Sequence, residues 1–375
     1  HKSLKLVYKI IFIFFLLSFA IQLFFWLGLF SRLAFFKSTP KPKSIKLQQP
    51  VSIIICAKNE AKNLQKNIPY ILSQTYDSFE VIIVNDNSTD NSMEILLDFQ
   101  FKFPNFTIVN LQQATLPGKK EALSAGIQKA RFDIVLLTDA DCRPASNYWL
   151  NHMQKALDGN IEIGLGHGPF FSKKSFLNLF IRFESIYTAI NYQSFALAGL
   201  PYMGVGRNLI YRKSLFEKAD GFQKHAHLAS GDDDLFINAV AHKSNTALIL
   251  EPSAFVFSEA KSSWPGYYIQ KTRHLTTGSS YKLTHKILLG ALSASHFVFY
   301  ISLILLLFNQ SYQMIALGSY LVRMTVVLWL SRRILRNLND PSLWKFFPLF
   351  DALFIFYYLI FSPVLLTGNT TKKWK

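Results

Sequence analysis

Three groups of carboxylates carry most of the chemistry this sequence can offer: Asn85-Asp86-Asn87-Ser88-Thr89-Asp90, Asp139-Ala140-Asp141 and Gly231-Asp232-Asp233-Asp234. Asp139 and Asp141 are one residue apart, so in extended backbone both side chains leave the same face and offer oxygens to one hard cation. An isolated Asp-x-Asp is more often a solvated turn. Here it follows an apolar run, residues 134–138, and a second such run, residues 81–84, ends just before Asp86. Acids at the carboxyl ends of neighbouring parallel strands converge on the crevice where open α/β sheets bind ligands. On a chain of formal net charge +17, such a cluster is expected to hold a divalent metal ion between itself and a nucleotide diphosphate.

Other polar residues have paired readings. Asp90 is expected to be largely a helix cap, and Asp86, one step past its strand, is better placed to accept hydrogen bonds from a base or ribose. Glu60 is open between a similar contact and a capping role. Gly118-Lys119-Lys120 stands where a helix begins, so it suits either a phosphate or plain solvation. Three adjacent carboxylates repel one another, and a cap needs only one. One of Asp232 and Asp233 is therefore a candidate general base for an acceptor hydroxyl. Gln270 and Arg273 share a helix face, and Arg273 suits a diphosphate or a lipid headgroup.

The elements that must position these groups alternate. Strand-like runs at 51–56, 79–84, 106–111 and 132–138 are separated by helical patterns at 59–74, 92–101 and 117–130. That order predicts an α/β domain with a parallel sheet and right-handed crossovers. Beyond residue 161 the pattern loosens. Residues 204–212 read as a glycine-hinged turn entering a strand, and 232–241 as a helix with an acidic start.

The chain is 50% hydrophobic, too apolar for an ordinary soluble protein, and the excess sits at its ends. Residues 6–30, 287–308, 314–330 and 346–366 are long enough, or nearly so, to span a bilayer. The first lacks a small-residue cleavage site and reads as a signal anchor rather than a signal peptide; a chain that starts at His1 points to a trimmed amino terminus. Arg32, Lys37, Lys41, Lys43 and Lys46 after the first span, and Arg332, Arg333, Arg336 and Lys345 between the third and fourth, place the central domain in the cytoplasm. The basic tail, 368–375, breaks that rule, so the last segment, interrupted at Pro363, is open between crossing and not crossing. The expected organisation is an anchor (1–31), a basic linker (32–50), an α/β domain (51–261), an interfacial amphipathic segment (262–285), two to three spans (286–367) and the tail. Cys56 and Cys142 form neither a disulfide framework nor a zinc site, which fits a reducing compartment.

In family order the chain carries Val-Ser-Ile-Ile-Ile-Cys-Ala-Lys-Asn-Glu (51–60), Val-Asn-Asp-Asn-Ser-Thr-Asp (84–90), Pro-Gly-Lys-Lys-Glu-Ala-Leu (117–123), Thr-Asp-Ala-Asp (138–141), Gly-Val-Gly-Arg-Asn (204–208), the Asp triplet, and Gln-x-x-Arg-His (270–274). Together these resemble the family 2 glycosyltransferases, inverting enzymes of the GT-A fold, a Rossmann-like mixed sheet. Spans at both ends resemble the membrane-bound subgroup of ceramide glucosyltransferases and cellulose, hyaluronan and poly-N-acetylglucosamine synthases. The resemblance implies a nucleotide-sugar donor, UDP before GDP, touched by Glu60, Asp86, Lys119, Asp139, Gln270 and Arg273. It implies Mg2+ or Mn2+ on Asp141 with Asp139, and Asp232 or Asp233 as base. His274, Arg207 and Asn208 fall on the acceptor side.

The membrane synthases usually have Trp where His274 stands, and four spans are few for a polymer channel. The expected activity is therefore transfer of one or a few sugars to a lipid or lipid-linked acceptor at the cytoplasmic face of the cell (inner) membrane. An anionic membrane surface is an expected partner and a nucleic acid is not. A processive polysaccharide synthase is the alternative, and an inactive membrane scaffold the alternative of another class.

Overall fold

The computed structural model describes residues 2–37, 48–112 and 117–367; most of the basic linker, including Lys41, Lys43 and Lys46, and the whole basic tail lie outside the described residues. Two compact units form, one from Tyr281–Thr367 with the residues up to Phe36, the other from Lys37–Ser280. In chain order the elements are α1 (Lys2–Leu23), a wider-wound stretch (Phe24–Phe30), α2 (Ser31–Ala34), β1 (Val51–Ala57), α3 (Ala61–Leu72), β2 (Phe79–Asp86), α4 (Ser92–Lys102), β3 (Phe106–Leu111), α5 (Lys120–Lys129) and β4 (Ile134–Asp139). Then come β5 (Cys142–Pro144), α6 (Trp149–Lys155), β6 (Ile163–Gly166), α7 (Phe176–Leu197), β7 (Leu209–Arg212), α8 (Lys213–Lys218), α9 (Asp234–Val240), β8 (Thr246–Ile249), β9 (Val256–Ser258) and α10 (Trp264–Leu275). The helical unit resumes with α11 (Leu283–Leu307), α12 (Gln313–Asn337) and α13 (Phe347–Thr367).

The main sheet has the order β3-β2-β1-β4-β7-β6-β8. Its first four strands are parallel, as their alternation with helices predicts. β7 then runs antiparallel to β4, and β6 antiparallel to β7, so the sheet is mixed. Each central strand carries an apolar run because both faces are covered, and the buried Ser52 and Glu80 near the strand starts satisfy each other. Ile53, Ile55, Val81, Ile83 and Leu136 belong to one core; Ile54, Ile82, Val84, Val135 and Leu137 belong to the other, with Leu123 and Ile127 of α5. Full burial of each such side chain stabilises the fold by about 1.5–3 kcal/mol. Register does the positioning: Cys56 pairs with Asp139 and Ala57 with Asn85, which levels the carboxyl ends of β2, β1 and β4.

Residues 176–197, where the sequence pattern loosens, form the long helix α7. Fourteen of its 22 residues are buried, on all sides, so it shows no single apolar stripe to detect. The Ser175 side chain caps it by accepting from Asn178 N–H. Residues 262–280, expected as a separate interfacial segment, pack into the sheet unit: Trp264 and Tyr267 of α10 meet Phe180 of α7, and Lys271 pairs with Glu184.

In the helical unit four helices are long and apolar enough to cross a membrane: Ser3–Ala34, Leu283–Leu307, Gln313–Asn337 and Pro341–Val364. Three of these four candidates follow the sheet unit in sequence, and α13 continues through Pro363 to Thr367. Each helix contributes to one buried polar cluster. Arg323 of α12 donates to both oxygens of Asp351 of α13, at 2.6 and 3.1 Å, and to Gln22 Oε1 of α1 at 3.0 Å. From α11, Tyr300 Oη donates to Asp351 at 2.5 Å and His296 lies 3.3 Å from it. Arg323 and Asp351 are almost wholly buried, so each is tolerable only because the other is there. Arg323→Leu is expected to cost about 3–5 kcal/mol by stranding the carboxylate. The double change Arg323→Leu/Asp351→Leu should cost less than either single change, read as melting temperature in detergent; additive losses would show that the pair does not couple.

Candidate active site

The floor of the site is built by two loops that fasten to each other. Asn59, at φ 56°, and Asn87, at φ 49°, take the left-handed conformation that lets β1 and β2 turn sharply into their helices. Asn59 N–H donates to Ser88 Oγ, and Asn59 Oδ1 accepts from Thr89 N–H at 2.8 Å. Ser92 Oγ accepts from Glu60 N–H, and Asp90 accepts from Ala61 N–H and Ser92 N–H. Asp90 is thus the cap that its surroundings suggest, serving the starts of both α3 and α4. Glu60 supplies no side-chain cap to α3; its carboxylate accepts from Asn63. Asp86 is buried against Lys58, whose ammonium lies 3.2 Å from Oδ2, while Oδ1 has no hydrogen-bond partner. An unpartnered buried acceptor at this place suits a ligand hydroxyl or base N–H.

At the next strand end, Lys119 Nζ stands between two acids, 2.9 Å from Asp139 Oδ1 and 3.3 Å from Asp232 Oδ2. Desolvation works against a charged amine, but Asp139 and Asp232 overcome it and hold the ammonium well above the usual lysine range. Asp139, disfavoured as an anion by burial, is held below the usual carboxylate range by Lys119, with help from Arg207 and Arg273. The helix start at residues 118–120 does not face an open anion site. At Gly118, φ +78°, a Cβ would lie 2.2 Å from the carbonyl oxygen of Ala229, so this glycine permits close packing of the loop before the Asp triplet. Lys120 is fully buried and donates to the carbonyls of His225, Leu228 and Ser230. Neither a phosphate nor solvent takes it; it clamps that loop.

Asp139, Asp141 and Cys142 bring their ligand atoms within 4.8 Å of one another. The two carboxylates fit a hard divalent cation. Cys142 does not: burial, with Asp141 and Asp139 beside it, holds its thiol well above the usual range, so it offers no thiolate.

The three adjacent carboxylates part company. Asp232 turns to Lys119. Asp233 accepts from Gly206 N–H at 2.7 Å and Asp234 N–H at 2.8 Å. Asp234 accepts from Thr277, just past α10. Gly206 is needed where it is, since a Cβ would come within 3.2 Å of Asp233 Oδ2 and 3.4 Å of Lys119 Nζ.

Of the expected acceptor-side pair, Asn208 is fully buried, its amide donating to the carbonyls of His167 and Ala254 and accepting from Trp149 Nε1. It frames the turn and faces no acceptor, because a side chain with every polar atom satisfied internally has nothing left to offer. Arg207 donates to Gly168 O and stacks 4.6 Å from the Phe170 ring, close enough to bias Asp139. On α10, Gln270 is half-buried, and Arg273, whose Nε is buried without a partner, also acts on Asp139. Desolvation in the crevice, then the cations Arg273, Lys271, Arg207 and Lys119, hold His274 well below the usual histidine range, although its outer face is exposed. The sequence pattern passes over two residues that matter here, Lys58 and Thr277, and gives Lys120 the wrong role. Lys58 is legible as the base two residues before Glu60; Thr277 has no local signal.

Burial, then Asp232 and Asp234, pushes Asp233 up to about 7. An unfolded aspartate titrates near about 4, so between about pH 4 and 7 the folded chain binds the extra proton and loses stability as pH rises. Asp233→Asn keeps a carbonyl for Gly206 N–H and removes that titration. Its melting temperature relative to the parent should climb from about pH 4.5 to about pH 7.5; a constant difference across that window would show that Asp233 does not titrate there.

Residues 52–219 match the family model for Glycosyl transferase family 2. The probable glycosyltransferase YdaM of Bacillus subtilis is 26% identical over 253 residues, 64% of this chain and 58% of that protein. A poly-beta-1,6-N-acetyl-D-glucosamine synthase of Staphylococcus epidermidis is 27% identical over 267 residues, 69% of this chain and 60% of that protein. The chain thus spans about three fifths of the length of these curated relatives. Among solved structures, the mannosyltransferase PcManGT from Pyrobaculum calidifontis, in complex with GDP-Man and Mn2+, superposes with a TM-score of 0.59 at 17% identity, covering 93% of this chain and 99% of that one. At that identity the likeness speaks for the fold. Residues 52–219 thus form a domain that matches the family 2 glycosyltransferases, on a GT-A-like fold.

Proposed function

We propose that the protein is an inverting glycosyltransferase, integral to the cell (inner) membrane with its sheet unit in the cytoplasm, that moves a sugar from a nucleotide-sugar donor to a lipid or lipid-linked acceptor. The observation that carries it is the meeting of Asp139, Asp232 and Lys119 at the carboxyl ends of the parallel strands, with Asp141 beside them and Arg273 acting on the same carboxylate. Asp86 and Glu60 would hold the nucleoside, and Arg273, with Gln270 one turn away, the diphosphate. Asp139 and Asp141 would hold Mg2+ or Mn2+, which supplies neutralising charge to the departing diphosphate.

Asp232 is the better base. Both oxygens of Asp233 accept backbone N–H bonds, whereas Asp232 faces the Lys119 ammonium and its Oδ2 accepts no hydrogen bond among the described residues. In the transfer step the acceptor hydroxyl gives its proton to Asp232 as its oxygen bonds to the anomeric carbon. The bond from that carbon to the diphosphate oxygen breaks on the opposite face, and the configuration inverts. Lys119 stays charged throughout, so protonation of Asp232 leaves the site more positive as negative charge develops on the departing diphosphate.

The orientation rests on Arg32 and Lys37 past the first span and Arg332, Arg333, Arg336 and Lys345 past the third. Transfer of one or few sugars rests on His274 in place of a stacking Trp and on four candidate spans. The poly-beta-1,6-N-acetyl-D-glucosamine synthase relative favours a second possibility, a polymer of N-acetylglucosamine.

Asp141→Ala should abolish turnover and remove the Mn2+ dependence of nucleotide-sugar binding by calorimetry; unchanged metal dependence would discard the Asp139–Asp141 assignment. Asp232→Asn should keep donor binding and lower turnover by roughly 100-fold or more, against a small loss for Asp233→Asn; the reverse ranking would move the base to Asp233. A radiolabelled donor should give an organic-extractable glycolipid, and a retained polymer would establish the synthase instead. His274→Trp should lengthen the product.

A further inference from the structure

Away from the carboxylates, the helical unit contains a basic cavity. Arg332, Arg333 and Arg336, in the last turns of α12, line about 480 Å³ together with Ala34, Trp329 and Asn337. The cavity is built from fixed parts. Asn337 Nδ2 donates to Leu33 O at 2.9 Å, fastening the end of α12 to the end of the first span. The Arg333 guanidinium lies 4.7 Å from the Phe35 ring and 5.8 Å from the Trp329 ring, and those rings meet edge-on at 5.6 Å. Arg332 lies 5.2 Å from the Trp344 ring, whose indole N–H donates to Leu328 O. A guanidinium held by its face on an aromatic ring keeps its N–H edge available for a planar or tetrahedral anion.

Among the described residues no ion pair joins Arg332, Arg333 or Arg336 to an acid; Arg323–Asp351 and His296–Asp351 belong to the buried cluster. Three like charges around one concavity repel, and an anion placed there relieves the repulsion and accepts from several N–H groups at once. Position narrows the anion. The arginines end a helix long and apolar enough to cross a bilayer, which puts them at the boundary of the hydrocarbon, the depth of lipid phosphates. Trp329 and Phe35 are each about half exposed beside them, an apolar surface for glycerol and the first methylenes of a chain.

We propose that this cavity binds the phosphate of an anionic membrane lipid, with the guanidinium edges of Arg332, Arg333 and Arg336 on the phosphate oxygens and Trp329 and Phe35 against the lipid's apolar part. The site is separate from the carboxylate cluster, and it stands or falls independently of the sugar-transfer proposal.

The test is the melting temperature of the full chain in neutral detergent with added phosphatidylglycerol, phosphatidylcholine or inorganic phosphate. Phosphatidylglycerol should raise it, and the other two should not. Arg332→Gln/Arg333→Gln/Arg336→Gln should keep the melting temperature seen in phosphatidylcholine and lose the phosphatidylglycerol shift, with apparent affinity falling roughly fivefold per arginine removed. Lys282→Gln/Lys286→Gln, basic residues at the same end of the helical unit but outside the cavity, should keep the shift. Should the triple variant fail to fold, Arg336→Gln, which has no aromatic stack to lose, serves in its place with a fivefold weakening. A shift retained by the arginine variants, or lost equally in the lysine variant, would mean diffuse attraction to a charged surface and overturn the site. An equal shift with inorganic phosphate would overturn the lipid as its source.

Discussion

One ammonium group sets the electrostatics of the sheet unit. Lys119 reaches carboxylates from two separate parts of the chain, Asp139 at the end of β4 and Asp232 ahead of α9. Without it, at least four aspartates would crowd one crevice. With it, two of them share a cation, Asp233 is satisfied by backbone N–H groups and Asp234 by Thr277. The remaining pair, Asp139 and Asp141, keeps enough oxygens for a divalent ion. A charged lysine between two acids is also a permanent dipolar support that needs no rearrangement when charge moves through the site, which is the property that electrostatic catalysis rewards.

Cations border the same carboxylates. Arg207, Arg273, Lys271 and Lys119 all act on His274 and favour its neutral form. An uncharged imidazole among cations can donate or accept a hydrogen bond without adding to the repulsion among them.

The helical unit solves a different problem. Lipid offers no hydrophobic gain for helix association, so packing and internal hydrogen bonds must hold the bundle. The cluster of Gln22, His296, Tyr300, Arg323 and Asp351 takes one or more groups from each of the four long helices. The Arg323 guanidinium also lies over the Phe299 and Tyr300 rings. Polar groups that are individually unfavourable in an apolar bundle thus become specific for one arrangement of it, because each satisfies another on a different helix.

How much of this the sequence discloses depends on the range over which the physics acts. β1, β2 and β4 are legible because a strand buried on both faces must be apolar throughout. Their carboxyl-end acids are legible because they follow at once. α7 is not, since burial on all sides erases the 3.6-residue stripe, and the antiparallel entry of β7 is set by tertiary packing that no local pattern encodes. Lys119 and Lys120 make the point most sharply. In sequence they are an undivided basic pair at a helix start; in the fold, successive helix positions diverge by about 100°. One lysine is thereby sent to Asp139 and Asp232 and the other to three carbonyls of the 225–230 loop. The first tunes the site and the second fixes the loop that carries the site's other half. Spacing alone assigns two such neighbours one role, and only the backbone direction separates them.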